Sequence, residues 1–310
     1  MDDRRDFLKK LLLGLSGLSV AGAAFQGKAL GPLAPDGGVA EAATTDMCWI
    51  EGKDPYANTV KALNTLGGMK RFVKKGQKVT VLPNVGWART PEQAACTNPA
   101  VVRAVIDECK KAGAKSVSIF GNPCNDGRVC FDLSGIAKAV EAAGAHWELI
   151  NNGAWVKRSA PKLCTHIKSA EVYRLVTDGD VLINVPVAKH HGGSKLTMCC
   201  KNLMGAVRDR GYIHQSLHEG IADLAIMIPS ALCVLDATRI LVRNGPTGGN
   251  LKDVVVKNTI IAGINPGQVD ALGTSLFGMQ PSEIEYLKIL AGRAYCVIDP
   301  AKLRYVKAKA

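Results

Sequence analysis

Residues 181–205 read VLINVPVAKHHGGSKLTMCCKNLMG, and this stretch decides the predicted fold while also holding an unusual density of reactive side chains. Residues 181–187 form a nearly continuous apolar run, which predicts a strand that is buried on both faces. A loop with two glycines follows, and a run with helical character begins at Leu196. A buried strand that leads into a helix is typical of a parallel sheet in an α/β protein.

Strands and helices alternate along the rest of the chain. Short apolar segments predict further strands at residues 78–82, 116–120, 147–150, 232–236 and 259–262. Apolar residues at helical spacing predict helices at residues 58–72, 99–112, 133–143, 170–176, 216–228, 267–277 and 282–291. We therefore expect an α/β fold in three layers, with a mostly parallel sheet and helices on both faces.

The first 42 residues have the layout of an export signal. The paired arginines of RRDFLK (residues 4–9) stand before residues 11–25, which are uncharged, apolar and rich in Gly, Ala and Leu. The match to RRxFLK favours a twin-arginine signal over two alternatives, a membrane anchor and an ordinary secretory signal behind a chance arginine pair.

The predicted signal fixes the expected location of the protein. Small residues at positions 40–42 offer a cleavage site, so the mature chain is expected to begin near Ala43. The apolar run is short for a permanent membrane span. We expect the twin-arginine translocase to carry the protein to the periplasm or another extracytoplasmic part of the cell envelope. Residues 43–310 then form one α/β domain, or two subdomains with a boundary near residue 178.

The charge of the chain favours anionic partners. The formal net charge is +12, and residues 1–42 contribute nothing to it because they hold five basic and five acidic side chains. Such a surplus attracts small anions, anionic lipid surfaces or acidic proteins. Nucleic acid is not expected as a partner, because the protein is predicted to be exported and no aromatic residues are interleaved with its basic ones.

The ten cysteines leave two interpretations open. All of them follow residue 42, and an even number of cysteines in an exported protein suggests disulfides. Twin-arginine export carries proteins that have already folded in the reducing cytoplasm, which favours free thiols or thiolate ligands of a metal. The chain contains no CxxC pair and no ferredoxin-type run of cysteines.

Three lysines make the loop after residue 187 a candidate anion site. Lys189, Lys195 and Lys201 lie at the predicted carboxyl end of a strand, where open α/β sheets bind ligands. The residues predicted to hold a ligand or cofactor there are Asn84, Lys195, Lys201, Asn202, Gly248 and Gly249. The alternative for the lysines is a solvated basic face.

The histidines suggest acid–base chemistry and metal binding. His190 and His191 are first choices for a general base beside Lys189, because the ordinary pKa of imidazole lies near neutrality. Both would reach one ligand from a loop, whereas in a strand they would point to opposite faces. His214 and His218 are four residues apart, so a helix would place them on one face with room for a shared metal.

Two cysteine pairs are further metal candidates. Cys124 and Cys130 flank a loop behind a predicted strand, where they would bind a metal or, as the slightly favoured alternative, close a disulfide. Cys199 and Cys200 diverge by about 100° on a helix and so do not readily share one metal. Cys199 is kept as a candidate metal ligand, and one member of the pair is expected to pack in the core.

Seven segments between residues 66 and 290 keep a characteristic order and spacing. They are VTVLPN (79–84), TNPAVVRAVIDECKKAGAKSV (97–117), DVLINVPVAKHH (180–191), SKLTMCCKNLMGAV (194–207), HQSLHEGIADL (214–224), GPTGG (245–249) and IIAGINPGQVDALG (260–273). With these segments the chain resembles the uncharacterised family known as domain of unknown function 362. The resemblance implies an iron–sulfur association, since many relatives carry a ferredoxin-like segment. This chain lacks that segment, and Asn265 replaces an aspartate that relatives usually have.

Three functional hypotheses follow from the sequence. The first is a periplasmic redox protein that depends on a transition metal or an iron–sulfur cluster and has a basic anion-binding site. The second is a cofactor-free enzyme or binding protein for a small carboxylate or phosphate. The third is an assembly factor for a redox complex, which would dock through its basic surface on an acidic redox partner.

Overall fold

A mostly parallel sheet forms the centre of the fold. The structure is a computed structural model that describes residues 45–151 and 153–310. Its strands are β1 (Met47–Glu51), β2 (Lys78–Pro83), β3 (Ser116–Gly121), β4 (His146–Leu149), β5 (Trp155–Ser159), β6 (Ser169–Tyr173), β7 (Val181–Val185), β8 (Val187–His191), β9 (Lys195–Thr197), β10 (Leu232–Leu241), β11 (Val254–Gly263) and β12 (Val306–Lys309).

Short helices connect most of these strands. They are α1 (Pro55–Thr65), α2 (Pro99–Lys111), α3 (Gly127–Leu133), α4 (Ile136–Ala142), α5 (Arg174–Asp178), α6 (Cys199–Asn202), α7 (Arg210–Gln215), α8 (Leu217–Met227), α9 (Pro266–Gly273) and α10 (Glu285–Gly292). The start of α2 shows why the sequence folds this way. Asn98 caps the helix by accepting from the Ala100 amide at 2.9 Å, and Pro99 occupies the first turn, where its missing N–H costs nothing.

The main sheet has the order β12-β1-β11-β10-β7-β2-β3-β4. Neighbours from β10 through β7, β2 and β3 to β4 are parallel, whereas β11 runs antiparallel to both β1 and β10. The hairpin β8–β9 is attached to β10 beyond the end of β7, and β5 and β6 form a separate antiparallel pair. The predicted α/β class with a mostly parallel sheet is confirmed.

Helices cover both faces of the sheet, and alternating side chains along each strand show it. In β10, Leu232 and Val234 belong to one hydrophobic core, and Cys233 and Leu235 belong to the other. Helices α1, α2 and α4 complete the first core, whereas α6, α8, α9 and α10 complete the second. The central strands β7 and β10 are therefore almost entirely buried, which explains the apolar runs in the sequence.

The predicted strand at residues 181–187 is two strands. β7 ends at Val185 because Pro186 has no N–H to donate, and β8 then continues beside β10. The predicted helix that begins at Leu196 is also wrong at its start. Residues 195–197 form β9, which pairs with β8, and the helix begins only at Cys199.

The helix predicted at residues 170–176 is wrong over its first half. Residues 169–173 form β6, whose partner β5 was not predicted from the sequence, and only α5 behind it is helical. A short run with mixed periodicity takes the conformation that its partner imposes, which is the usual limit of reading strands from sequence.

The predicted export signal lies outside the described residues. The described residues, 45–151 and 153–310, belong to one compact unit. Within the described part of the chain, no helix has both the length and the apolar character needed to cross a membrane.

Candidate functional site

A basic cleft of about 410 Å³ lies beyond the carboxyl ends of β2 and β7. Its polar lining residues are Asn84, Asn122, Cys124, Lys189, His191, Thr197, Lys201, Asn202, Arg210 and His214. None of the described residues that line it is Asp or Glu. The cleft occupies the position where open α/β sheets bind ligands, and its charge is positive.

Five elements deliver these side chains. Asn84 directly follows β2, and Asn122 directly follows the neighbouring strand β3. The hairpin β8–β9 supplies Lys189, His191 and Thr197, and the helices α6 and α7 supply the others, apart from Cys124 in the loop after β3. The site is therefore assembled from residues that are up to 130 positions apart between Asn84 and His214.

Three asparagine side chains form a continuous hydrogen-bonded chain under the cleft. Asn84 Nδ2 donates to Asn202 Oδ1 at 2.8 Å, and Asn202 Nδ2 donates to Asn184 Oδ1 at 2.8 Å. Asn184 Nδ2 then donates to the carbonyl of Cys199 at 2.9 Å. Because each amide is held at both ends, the chain fixes the position of α6 relative to β2 and β7.

Lys189 is held rigidly at the buried end of the cleft. The residue is 1 % exposed, and its ammonium donates to Asn84 Oδ1 at 2.9 Å and to the Ala95 carbonyl at 2.5 Å. Burial lowers the pKa of Lys189 to about 8, because the charged form loses its hydration. Two of its three N–H groups are satisfied by neutral oxygens, so its charge is not neutralised by the protein.

Lys201 and Arg210 add two further cations. Burial is the main cause that lowers the pKa of Lys201 to about 8, and the nearby charge of Arg210 lowers it further. Arg210 Nη1 donates to the Asn122 carbonyl at 2.9 Å. In the described part of the chain, neither these two residues nor Lys189 has a carboxylate within salt-bridge distance.

His191 is a neutral hydrogen-bond donor rather than a base. Its Nδ1 accepts from the amides of Gly193 and Ser194, each at 3.1 Å, which assigns the proton of the neutral ring to Nε2. Burial, with the charge of Lys201 as the next cause, lowers the pKa of His191 to about 3. Neither ring nitrogen is then free to take up a proton near neutral pH.

His214 has the opposite arrangement. Its Nδ1 lies 2.6 Å from the carbonyl of Arg210, which accepts only from a protonated nitrogen. The lone pair of the neutral ring is therefore on Nε2, and His214 lines the cleft. Of the two histidines in the cleft, His214 is the one arranged to accept a proton.

One hydroxyl group and one thiol group complete the cleft. Thr197 is 4 % exposed, and its Oγ1 has no hydrogen-bond partner within the described residues. An unpaired buried hydroxyl is costly, so this atom is a natural contact for a bound ligand. Cys124 is exposed, and its Sγ lies 3.7 Å from Arg210 Nη1.

Several predicted site residues meet in this cleft and others do not. Those that meet are Asn84, Cys124, Lys189, His191, Lys201, Asn202 and His214. His190 and Lys195 instead line a neighbouring groove with Phe277 and Met279, which His191 also borders. The Nδ1 of His190 accepts from the Gly245 amide at 3.2 Å, so it is also not a free base on that atom.

The predicted histidine metal pair is wrong in its geometry. Ser216 separates α7 from α8, so His214 and His218 are on different helices rather than one turn apart on a single helix. His218 lines another surface groove with Glu283 and Glu285. The spacing of four residues predicts a shared face only where one helix continues through both positions.

The predicted cysteine sites are also not formed. All ten cysteines are free thiols, which contradicts the favoured disulfide between Cys124 and Cys130. Cys130 is on α3, where its side chain is buried in the core and does not line the cleft. Cys199 is buried at the start of α6. The amides of Cys199 and Cys200 donate to the carboxylate of Asp270, at 2.7 and 3.0 Å, so Asp270 caps the start of α6.

The donor atoms present do not fit a metal ion or an iron–sulfur cluster. Across residues 45–151 and 153–310, no three His, Cys, Asp or Glu side chains are close enough together to hold an ion. A cluster of the ferredoxin type requires four thiolates, whereas Cys124 is the one thiol among the residues that line the cleft.

The glycines of residues 245–249 shape the loop above the cleft instead of lining it. Gly248 and Gly249 have φ values of 57° and 122°, and they pack against Leu241 and Arg89. The loop reaches the cleft through Pro246, which follows a cis peptide bond. Only glycine fits at position 245, because a Cβ there would lie 2.0 Å from the carbonyl oxygen of His190.

Sequence reasoning missed Thr197, Asn122 and Asn184 as parts of the site. Asn122 had a usable signal, since it follows a predicted strand in the same way as Asn84. Thr197 had none, because its exposure to the cleft depends on β9, which was predicted as helix.

Comparison with known proteins identifies a family whose match spans all the residues that line the cleft. A family model described as "Domain of unknown function (DUF362)" matches residues 79–275, which include every residue that lines it. The chain is also 26 % identical over 231 residues to the thylakoid-associated protein sll1697 of Synechocystis sp., and the match covers 72 % of this chain and 70 % of that protein.

Two solved structures are similar to the chain. The lactate racemase apoprotein from Thermoanaerobacterium thermosaccharolyticum matches with a TM-score of 0.50 and 11 % identity over 74 % of this chain. A structural-genomics protein from Thermotoga maritima matches with a TM-score of 0.49 and 13 % identity over 74 % of this chain. The chain covers 56 % and 61 % of those two structures, and the first likeness shows the α/β fold alone.

Proposed function

Because the chain belongs to the DUF362 family, whose description specifies no reaction, we propose a function from the cleft: it binds a small carboxylate or phosphate anion. The observation that carries this proposal is the convergence of Lys189, Lys201 and Arg210 on one cleft without a carboxylate partner in the described residues. Uncompensated charges away from bulk water are unfavourable, and an anion that binds between the three residues offsets part of their charge.

A solvated basic surface does not account for this arrangement. Lys189 is 1 % exposed, and the pKa of Lys201 is lowered mainly by burial, whereas the lysines of a solvated surface keep their hydration. Neutral donors also point to an anion. The protonated Nε2 of His191 and the hydroxyl of Thr197 are both available to donate a hydrogen bond to it.

Anion binding is tested by thermal unfolding of the purified protein with increasing inorganic phosphate and, separately, succinate. We expect at least one of these probes to raise Tm in the wild-type protein, because a ligand that binds the folded state stabilises it. The variants Lys201→Gln and Arg210→Gln should bind roughly tenfold to a hundredfold more weakly, since each loses a charged hydrogen bond.

The matched control is Lys138→Gln, which removes an exposed charge from α4 on the far side of the first core. It should bind the probe as the wild type does. If Lys138→Gln and Lys201→Gln changed the response equally, the effect would be one of general charge and the cleft would not be the site.

The metal-dependent redox hypothesis has no comparable support in the described residues. Its motivation is the predicted export, the ten cysteines, the clustered histidines and the iron–sulfur association that the family resemblance implies. Eight of the ten cysteines are buried. The cofactor-free alternative, an enzyme or binding protein for a small anion, therefore fits the cleft better.

We propose in addition that the protein is exported by the twin-arginine translocase to the periplasm or an equivalent compartment. Arg4, Arg5 and the RRxFLK context support this proposal. Fractionation of bacteria that produce the full chain should recover it outside the cytoplasm, with Arg4→Lys/Arg5→Lys retained inside. Equal export of that variant, or export from a host without the translocase, would contradict the proposal.

A further inference from the structure

We propose that Lys201 is an amine nucleophile that forms an imine with a short-chain oxo acid, whose carboxylate is held by Lys189 and Arg210. This inference rests on the proposed anion site and names its substrate class. The two cleft lysines are assigned different tasks, and their surroundings are the reason.

The Lys201 amine is free where the Lys189 amine is fixed. Within the described part of the chain, the one hydrogen-bond partner of Lys201 Nζ is the sulfur of Met204, at 3.6 Å. A thioether is a weak acceptor and does not hold an ammonium in place. Lys189 Nζ, by contrast, donates to two oxygens at 2.9 and 2.5 Å and remains a rigid cation.

The setting also favours the neutral amine. Lys201 is partly buried on α6, and Arg210 adds a second positive charge to the same cleft. Desolvation and a neighbouring cation are the two ways in which proteins activate lysine as a nucleophile. With the pKa of Lys201 lowered to about 8, roughly a tenth of the side chain is neutral at pH 7.

Imine formation at Lys201 proceeds in two steps, addition and loss of water. The lone pair of the Lys201 amine attacks the carbonyl carbon, a C–N bond forms, and the carbonyl oxygen takes a proton to give a carbinolamine. Loss of the second amine proton and departure of the protonated hydroxyl as water then form the C=N bond. Amine and carbonyl are thus converted to imine and water, with no oxidant or reductant.

His214 is placed to handle these protons. Its Nδ1 is held by the Arg210 carbonyl, so Nε2 is free to accept the proton that leaves the amine and to return it to the departing hydroxyl. Thr197 Oγ1, which lacks a partner among the described residues, is available to hydrogen-bond the hydroxyl of the carbinolamine. A volume of about 410 Å³ accommodates an acid of a few carbon atoms.

The carbonyl group distinguishes this proposal from simple anion binding. The Lys201 amine would contribute only a charge to a phosphate or a saturated carboxylate, and a second guanidinium would serve that purpose as well. A free amine beside a proton acceptor is useful where the ligand has an electrophilic carbon.

The test is chemical trapping of the full-length protein with pyruvate, and separately acetoacetate, in the presence of sodium cyanoborohydride. Reduction of an imine leaves a stable secondary amine, which intact-mass measurement and peptide mapping locate. We expect one adduct on the peptide that contains Lys201, at least tenfold faster than labelling of the exposed Lys138. Lys201→Arg should abolish that adduct, whereas Lys138→Arg should retain it.

Phosphate and succinate stabilisation are measured on the same preparations. Trapping that is spread over surface lysines, or that survives in Lys201→Arg, would overturn the imine. Anion stabilisation without any adduct would overturn the imine and leave the proposed anion site standing, whereas the absence of both would overturn both. A folded Lys201→Arg protein is verified by its circular dichroism, and Lys201→Gln provides a second variant.

Discussion

At the scale of single residues, the hydrogen bonds of three histidines decide which one can act as a base. The sequence contains six histidines, and His190 and His191 are its first choices for a general base because the ordinary pKa of imidazole lies near neutrality. Backbone amides occupy Nδ1 of both, whereas His214 donates from Nδ1 and keeps Nε2 free. The choice depends on the path of the backbone around each ring, which no residue pattern encodes.

Anion affinity should fall as pH rises through about 8. Lys189 and Lys201 both have pKa values lowered to about 8 by burial, so both are charged below that pH and neutral above it. Sulfate is a suitable probe because its own charge is constant over pH 6.5–10. Isothermal titration should show a loss of affinity of about tenfold per pH unit above 8 for each lysine that must be charged.

The other groups that face the cleft do not produce this profile. His191, with a pKa lowered to about 3, stays neutral throughout the range. Cys124 and His214 are the remaining titratable groups there, so Cys124→Ser and His214→Asn should keep the decline above pH 8. An affinity that is flat from pH 7 to 10 would show that neither lysine contacts the anion.

At the scale of elements, a single buried carboxylate joins three parts of the structure. Asp223 on α8 is fully buried and accepts from the amides of Thr165, His166 and Ile167 at 3.1, 2.8 and 2.6 Å. It also pairs with Arg293, behind α10, at 2.6 Å. One side chain thus satisfies the backbone of the loop after β5 and neutralises a cation.

Asp223→Ala should lower the free energy of unfolding by roughly 3–5 kcal/mol, because it leaves buried amides and a guanidinium without their partner. Denaturant unfolding followed by circular dichroism measures this change. Lys111→Ala is the matched control, since Lys111 is exposed and the ion pair of such a side chain, here with Glu108, contributes little to stability. Similar losses in the two variants would mean that the Asp223 network contributes little.

The elements that sequence predicted well are those with their own start and stop signals. Residues 99–112 were predicted as a helix from Asn98, Pro99 and Gly113, and the structure has a helix at Pro99–Lys111. Residues 169–173 and 195–197 lack such signals, and their conformations are set by β5 and β8 across the sheet. The long-range partner therefore explains most of the errors.

The same limit applies to the candidate site. Asn84, Lys189, Lys201 and Asn202 could be grouped in advance, because carboxyl ends of parallel strands meet at one edge of the sheet. Cys130, Cys199 and His218 had to be excluded by the structure, since their side chains leave the cleft for a core or another groove. Position along a strand is readable from sequence, but the direction of a side chain in a loop or short helix is not.

At the scale of the whole molecule, charge and topology serve the same cleft. The net charge of +12 raises the local concentration of anions around the protein, and the parallel strands concentrate three unpaired cations at one place. The hairpin β8–β9 separates this cleft from the groove of His190 and Lys195, so the basic residues of one short segment serve two surfaces.

The position of β1 in the sheet has a consequence for co-translational folding. Cys48 and Ile50 are fully buried, yet both neighbours of their strand, β11 and β12, are encoded in residues 254–309. The first strand of the described residues is therefore without its strand partners until the last two strands have been synthesised. A nascent chain that stops before Val254 has no strand partner for β1 and cannot complete the fold. Cellular machinery that accepts only folded proteins would therefore reject it.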